Sequence, residues 1–213
     1  MNMNLRKPYR NLKIEKYDSL KKDGFFSGEI IISKRDFSKN NFSKNIKRQL
    51  ELINKNDNSS RVWLLFVSND KKDWKCVQVA QSKENVQQEV EDVTNYLQIK
   101  FEPPQGIEYT NSAFYEAVCP KIKGEEYRKT LYSKIGDNYN YFKICFLNVD
   151  KYLGIDSDNF TYKNDIERII QICKNQYAEA KIAYQTLAVY WRLYSSGIDG
   201  QTISYLVAEQ PAG

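Results

Sequence analysis

The side chains that could carry out chemistry in this chain are carboxylates and lysines, because the sequence contains no histidine. That absence excludes Ser-His-Asp and Cys-His triads, His-ligated zinc and a histidine general base. Glu179-Ala180-Lys181 has the Glu-x-Lys spacing of metal-dependent nucleases, in which carboxylates hold Mg²⁺ and the lysine steadies the attacking water. Glu179 is therefore a catalytic candidate, with Mg²⁺ as the cofactor if the protein is a nuclease. Alternatively, Glu179 and Lys181 are surface residues of an amphipathic helix.

Other metal-binding patterns in the sequence are incomplete. Glu89 and Asp92 are three residues apart and would share a helix face, so they could chelate a cation with a third ligand or simply face solvent. No Walker A, GxGxxG, GxSxG or HExxH motif occurs. The cysteines are too widely spaced for a zinc knuckle or a redox pair (Cys76, Cys119, Cys145 and Cys173). The sequence therefore predicts no metal site with a complete set of ligands.

Positive charge is concentrated in the first quarter of the chain. Residues 1–50 hold 13 Lys/Arg and 5 Asp/Glu, a net charge of +8, whereas residues 51–213 hold 19 and 22, a net charge of −3. Lys44, Lys47 and Arg48 are spaced so that they share one face of a predicted helix at 39–54. Such a ridge suits a phosphate backbone or an acidic protein partner. It would equally well be a plain solvent-facing surface.

Basic residues also alternate with tyrosines in two segments, 127–134 and 139–143. Mixtures of this kind can stack bases and hold phosphates, although a helix that buries its tyrosines gives the same pattern. We predict that nucleic acid, if it is the partner, is bound by seven cations: Lys34, Arg35, Lys44, Lys47, Arg48, Arg128 and Lys129.

Hydrophobic periodicity predicts the elements that must position these residues. We expect strands at 25–33, 61–68, 74–81 and 141–149, and a short strand at 12–17. Helices are predicted at 39–54, from Ser82 to Leu97, at 111–118, at 124–135 with Gly136 just past its end, and at 203–209. These elements predict an α+β fold with a small mixed or antiparallel sheet covered by helices. The expected organisation is a basic arm (1–24), an α+β core (25–160) and a C-terminal helical segment (161–213).

A long C-terminal helix is predicted at 164–195 from apolar residues at alternating steps of four and three. The residues of this seam are Ile166, Ile170, Cys173, Tyr177, Ala180, Tyr184, Leu187, Trp191 and Tyr194. Such a helix would be longer than the sheet it packs on. We therefore predict that part of it contacts a protein partner or a second copy of the chain.

The strands at 61–68 and 74–81, followed by Ser82-Lys83-Glu84-Asn85-Val86, form a strand–strand–turn–helix pattern. This pattern resembles the start of a GIY-YIG nuclease domain, with Val62-Trp63-Leu64 and Gln78-Val79-Ala80 in place of the two tripeptides. Neither family tyrosine is present, and the helix sequence VQQEVEDV lacks the family arginine. The resemblance implies a degenerate member whose metal-binding glutamate would correspond to Glu179. Lys83, in the turn, is a second catalytic candidate.

Two classes of function follow from the sequence. The first is a nucleic-acid-associated protein, in its narrowest form a degenerate nuclease-like domain of a bacterial defence or mobile-element system. The second is a non-enzymatic protein–protein interaction module, such as a phage or bacterial inhibitor. The N-terminus has no apolar core of a signal peptide, and no 18-residue apolar run occurs, so we expect a cytoplasmic protein without a membrane partner. Abundant Lys, Asn, Ile and Tyr are typical of AT-rich bacterial or phage genomes.

Overall fold

The computed structural model describes residues 13–56, 62–82, 86–100, 124–155, 165–188, 190–193 and 204–205. It confirms the predicted α+β fold. The helices are α1 (Tyr17–Lys22), α2 (Phe42–Asn56), α3 (Val86–Tyr96), α4 (Gly124–Asn138), α5 (Val149–Leu153) and α6 (Asp165–Thr186), with a 3-10 helix at Lys34–Asp36. The strands are β1 (Phe26–Ser33), β2 (Val62–Ser68), β3 (Lys75–Gln81), β4 (Tyr141–Leu147), β5 (Tyr190–Leu193) and β6 (Ser204–Tyr205).

The strands lie in the order β1-β4-β2-β3-β5-β6. The sheet is mixed, because it contains both antiparallel and parallel pairs. β4 is antiparallel to both β1 and β2, and the predicted β2–β3 hairpin is antiparallel. β5 runs parallel to β3 and antiparallel to β6. All seven residues of β2 are buried, as its continuous apolar run predicts for a central strand covered on both faces.

Each face of the sheet has its own hydrophobic core. The first core lies under α2, α3 and α4, where Leu50, Val93 and Ile135 pack against Trp63 and Phe142 of the strands. The second lies under α1, α5 and α6 and includes strand residues Leu64, Phe66, Val79, Cys145 and Leu147. None of the helices in the described part of the chain has the length and apolar content that crossing a bilayer requires.

The predicted long helix at 164–195 is too long, because α6 ends at Thr186. Leu187 takes a φ of 50°, which an α-helix does not accommodate, and Tyr190–Leu193 then form β5 beside β3. Aromatic residues suit a strand as well as a helical seam, and pairing with β3 decides between them. Of the predicted helix at 203–209, Ser204–Tyr205 form β6 instead.

The predicted seam is only partly the face by which α6 packs, since its members Ala180 and Tyr184 contact the second core from its margin. Tyr177 is 64% exposed and Cys173 is also exposed, whereas Ala178, Ile182 and Ala183 are buried in the second core. The spacing identified a helix correctly, but the fully buried face is rotated from the predicted seam towards the small residues Ala178 and Ala183, which let α6 lie close to the sheet.

Three shorter predictions also need correction. Gly136 lies within α4 and not past its end. Glycine is required there for packing, since a Cβ at this position would lie 2.0 Å from the carbonyl oxygen of Leu97. Residues 17–22 form α1, so the basic arm (1–24) is not wholly irregular, and 13–17 hold no strand. The strand predicted at 141–149 ends at Leu147, and α5 follows. The helix predicted at 111–118 lies outside the described residues.

Candidate functional site

A ridge of three cations runs along the solvent side of α2. Phe42, Ile46 and Leu50 face the first core, which turns the opposite side of the helix towards water. Lys44, Lys47 and Arg48 are all exposed there, and we call them the α2 ridge. None of the three makes a hydrogen bond or ion pair with any residue that the structure describes.

The cations that precede α2 are more constrained. Lys34 Nζ donates a hydrogen bond to the carbonyl oxygen of Asp137 at 3.0 Å, near the C-terminal end of α4, where a positive charge is favourable. Lys39 Nζ lies 2.5 Å from Asp36 Oδ1, and this hydrogen bond holds the pKa of the Asp36 carboxyl below its usual value. Arg35 is exposed. Lys34 and Lys39 therefore contribute less free charge to this surface than the α2 ridge does.

The other predicted binding residues lie on or beside a different helix. Lys129, on α4, places Nζ 5.9 Å from the ring centroid of Tyr96 on α3. Arg128 is on α4, but its side chain lies outside the described part of the structure. Because α3 contacts both α2 and α4, it separates Lys129 from the α2 ridge. The two groups of cations are thus not brought together.

The geometry does not favour catalysis by Glu179. This residue lies on α6 with 0% of its surface exposed, so neither substrate nor bulk water reaches it in this conformation. Lys181, its neighbour in the Glu-x-Lys pattern, places Nζ 4.7 Å from the ring centroid of Tyr152. Lys83 lies outside the described residues. The catalytic roles of Glu179 and Lys83 therefore stay predictions.

The acidic pair on α3 has partners within the protein. Glu89 accepts a hydrogen bond from Ser82 Oγ, and Asp92 Oδ1 accepts one from Gln88 Nε2 at 2.9 Å. Among the described residues, no group of three or more acidic or cysteine side chains is placed to hold a metal ion. The structure thus adds no support for the Mg²⁺ prediction within this part of the chain.

An enclosed lysine lies on the second face of the sheet. Lys143, the third residue of β4, is 8% exposed, and its Nζ lies 3.6 Å from the ring centroid of Tyr17 and 4.0 Å from that of Trp74. We call these three residues the lysine cage. Tyr17 comes from α1, whereas Trp74 directly precedes β3. Aromatic faces attract cations, so the two rings replace part of the water that the ammonium loses on burial.

Hydrogen bonds to Glu29 hold Tyr17 of the lysine cage in place. Tyr17 Oη donates to Glu29 Oε2 at 2.6 Å, and Lys21 Nζ donates to Glu29 Oε1 at 2.8 Å. Burial raises the pKa of Tyr17 to about 12, with a further contribution from Glu29. Burial acts to raise the pKa of Glu29, but the hydrogen bonds from Lys21 and Tyr17 hold it below its usual value. Burial lowers the pKa of Lys143, against the attraction of Glu29.

Sequence reasoning found only one member of this group. Lys143 lies in the basic and aromatic segment 139–143 that the sequence singles out, but no sequence pattern associates Tyr17, Trp74 or Glu29 with it. The available signal was a lysine in the middle of YFKICFL, an otherwise apolar strand. Tyr141 of the same segment is half-buried, with Lys71 Nζ 4.6 Å from its ring centroid. The segment 139–143 therefore holds one buried cation, Lys143, and one half-buried aromatic ring, Tyr141.

The chain matches no protein-family model, no curated protein and no solved structure. β2, β3 and α3 follow one another as the GIY-YIG resemblance expects, but residues 83–85 of the intervening turn lie outside the described part. A strand pair followed by a helix is a common unit. The relationship to that family stays a prediction.

Proposed function

We propose that this is a nucleic-acid-associated protein that holds the phosphate backbone along the α2 ridge. The observation that carries the proposal is that three neighbouring cations are exposed on a helix anchored by its opposite face. Glu51, the acidic residue of α2, forms no ion pair with them among the described contacts. Cations without intramolecular partners can bind phosphates without first breaking an ion pair, and they release the counterions of the nucleic acid when they do so.

A narrower form of the proposal is a degenerate nuclease-like domain of a bacterial defence or mobile-element system. It draws on the resemblance of β2, β3 and α3 to the start of a GIY-YIG domain. The complete burial of Glu179 favours binding without cleavage. Incubation of DNA and RNA with the protein and Mg²⁺ should therefore leave the strands intact, and cleavage that Glu179→Gln abolishes would contradict the non-catalytic form.

The test of binding is a fluorescence anisotropy titration with single- and double-stranded DNA and RNA over a series of salt concentrations. The ridge variant Lys44→Glu/Lys47→Glu/Arg48→Glu is compared with the control Lys16→Glu/Lys22→Glu/Lys100→Glu. The control residues are also exposed, and both variants change the net charge equally. Circular dichroism checks that both variants are folded.

We expect the ridge variant to lose at least about tenfold in affinity at low salt, and the control to lose less. For duplex DNA, log K falls as log salt rises, and each phosphate contact adds about 0.9 to the steepness of this fall. Replacing the three ridge residues by alanine should therefore make the slope shallower by about 3. Equal losses in the ridge and control variants would mean that net charge alone acts. The absence of binding by the wild-type protein at low salt would overturn the proposal.

The second candidate function is a non-enzymatic interaction module that docks through α6. The observation that favours it is Tyr177, a large aromatic side chain that is 64% exposed, with Cys173 exposed one turn earlier. Exposed tyrosines are common anchors of protein interfaces. If this surface binds a protein, Tyr177→Ala should weaken capture of that protein without unfolding the chain. Capture that is unchanged in Tyr177→Ala would exclude Tyr177 from the interface.

A further inference from the structure

The two edges of the sheet are built very differently. At one edge, β6 has two residues, whereas at the other β1 has eight. β1 pairs with β4 on its inner side, and no described residue pairs with the backbone on its outer side. A long open edge presents a row of backbone N–H and C=O groups that can pair with another strand. A very short edge strand offers few such groups.

The devices that protect a sheet edge are few in β1 and lie in its first half. Its sequence, FSGEIIIS, contains no proline or lysine, and Glu29 is its one charged residue. The register shift against β4 lies between Phe26 and Gly28, so residues 29–33 pair regularly with β4. Ile31 is 50% exposed at the centre of this regular segment. Exposed apolar edges of this kind are pairing sites.

We propose that β1 pairs with β1 of a second copy of this chain, antiparallel about a two-fold axis beside Ile31. In this register Ile31 lies opposite Ile31 of the second copy, and Ile30 lies opposite Ile32. The exposed Ile31 side chain is then covered by an apolar partner. Ile30 and Ile32 belong to the first core, so pairing joins the first cores of the two copies across the edge.

The charges near the edge fit a second copy of the same strand. The 3-10 helix Lys34–Asp36 follows β1 directly, and Arg35 is exposed with no side-chain hydrogen bond or ion pair to a described residue. In the proposed register Glu29 lies opposite Ser33 of the second copy. The carboxylate of each Glu29, which also accepts hydrogen bonds from Tyr17 and Lys21 of its own chain, then lies near the start of segment Lys34–Asp36 of the other copy. The two-fold axis repeats this favourable approach of opposite charges.

Self-association is tested by sedimentation equilibrium with the full chain over a wide concentration range. Ile31→Lys is compared with Leu52→Lys, because Leu52 is 54% exposed on α2 and gives a matched apolar-to-lysine change away from the edge. We expect a concentration-dependent dimer for the wild type and for Leu52→Lys. Ile31→Lys places two like charges opposite each other and should weaken the dimer about 100-fold or more.

The register is tested by cysteine cross-linking in a background where Cys119 and Cys173 are serine. Directly opposite residues of antiparallel strands have Cα separations of about 4.5–5.5 Å, which lies within the range of disulfides. Ile31→Cys should therefore form a covalent dimer under mild oxidation, and Leu52→Cys should not. The proposal is overturned by a wild-type chain that stays monomeric up to about 1 mM, where even weak specific association is seen. It is also overturned if Ile31→Lys leaves the dimer unchanged or Ile31→Cys fails to cross-link.

Discussion

The ammonium of Lys143 lies 3.6 Å from the centre of the Tyr17 ring, although the two residues are far apart in the sequence. This contact joins β4 to α1, and Tyr17 Oη in turn binds Glu29 of β1. Lys143 therefore connects an inner strand of the sheet to one of the helices that cover its second face. A buried cation of this kind makes stability depend on pH.

Because Lys143 is buried, the free energy of unfolding should increase as the pH rises towards 10.5. The pKa of Lys143 is lowered on folding, so between the folded value and 10.5 the unfolded chain binds more protons than the native state. The free energy of unfolding, measured by urea denaturation, should then increase with pH for the wild type relative to Lys143→Met. The measurements should stop near pH 10, because folding raises the pKa of Tyr17 to about 12 and the ionisation of Tyr17 in the unfolded chain lowers stability above pH 10. A pH-independent difference between the two proteins would contradict this assignment.

The ring and the hydroxyl of Tyr17 should contribute separately to stability. Tyr17→Phe keeps the ring over Lys143 but removes the hydrogen bond to Glu29, and should cost about 1.5 kcal/mol. Tyr17→Ala also removes a ring that packs on Phe66 and Phe26, and should cost about 3–5 kcal/mol. Urea denaturation measures both losses. Equal losses in the two variants would show that the ring adds nothing beyond the hydroxyl.

Two leucines of α2 provide a test of the orientation of the α2 ridge. Leu50 is 0% exposed and belongs to the first core, whereas Leu52 is 54% exposed. Leu50→Ala should lower the free energy of unfolding by about 2–5 kcal/mol, and Leu52→Ala should change it by less than about 0.5 kcal/mol. Thermal and urea denaturation of the two variants provide the comparison. Similar losses at both positions would mean that α2 is rotated, and that the ridge does not face solvent as described.

Gly136 should tolerate no side chain. A Cβ there would lie 2.0 Å from the carbonyl oxygen of Leu97, so Gly136→Ala must push α4 away from the end of α3. We expect a loss of about 1–3 kcal/mol despite the higher helix propensity of alanine. Lys134→Ala, at an exposed position of the same helix, should stay within about 0.5 kcal/mol of the wild type. A Gly136→Ala protein of unchanged or increased stability would contradict the close approach of the two segments.

The elements whose own apolar pattern shows which side chains are buried could be predicted from the sequence. The apolar run of β2 and the spacing of Phe42, Ile46 and Leu50 on α2 each specify a buried surface within one element. The exposure of Lys44 then follows from the same helical period. These local patterns were sufficient for the fold class and for the face on which the α2 ridge lies.

The features that were missed depend on neighbours distant in the chain. β5 forms because β3 offers its edge to residues 190–193, and Gly136 is required by the backbone of Leu97 and not by its own helix. The lysine cage needs α1 to place Tyr17 over β4, and the residue pattern of β4 alone does not predict this contact. Local patterns determine which face of an element is apolar, but not which partner covers it.

The position of β4 has a consequence for the order of folding. β4 lies between β1 and β2, yet it follows both of them in the chain by a long stretch of sequence. During synthesis β1 therefore has no partner within its own sheet until residues 141–147 have left the ribosome, whereas the β2–β3 hairpin can close locally. A nascent chain that stops before residue 141 would carry both β1 and the inner edge of β2 unpaired. Such intermediates are prone to aggregate and are the species on which chaperones act.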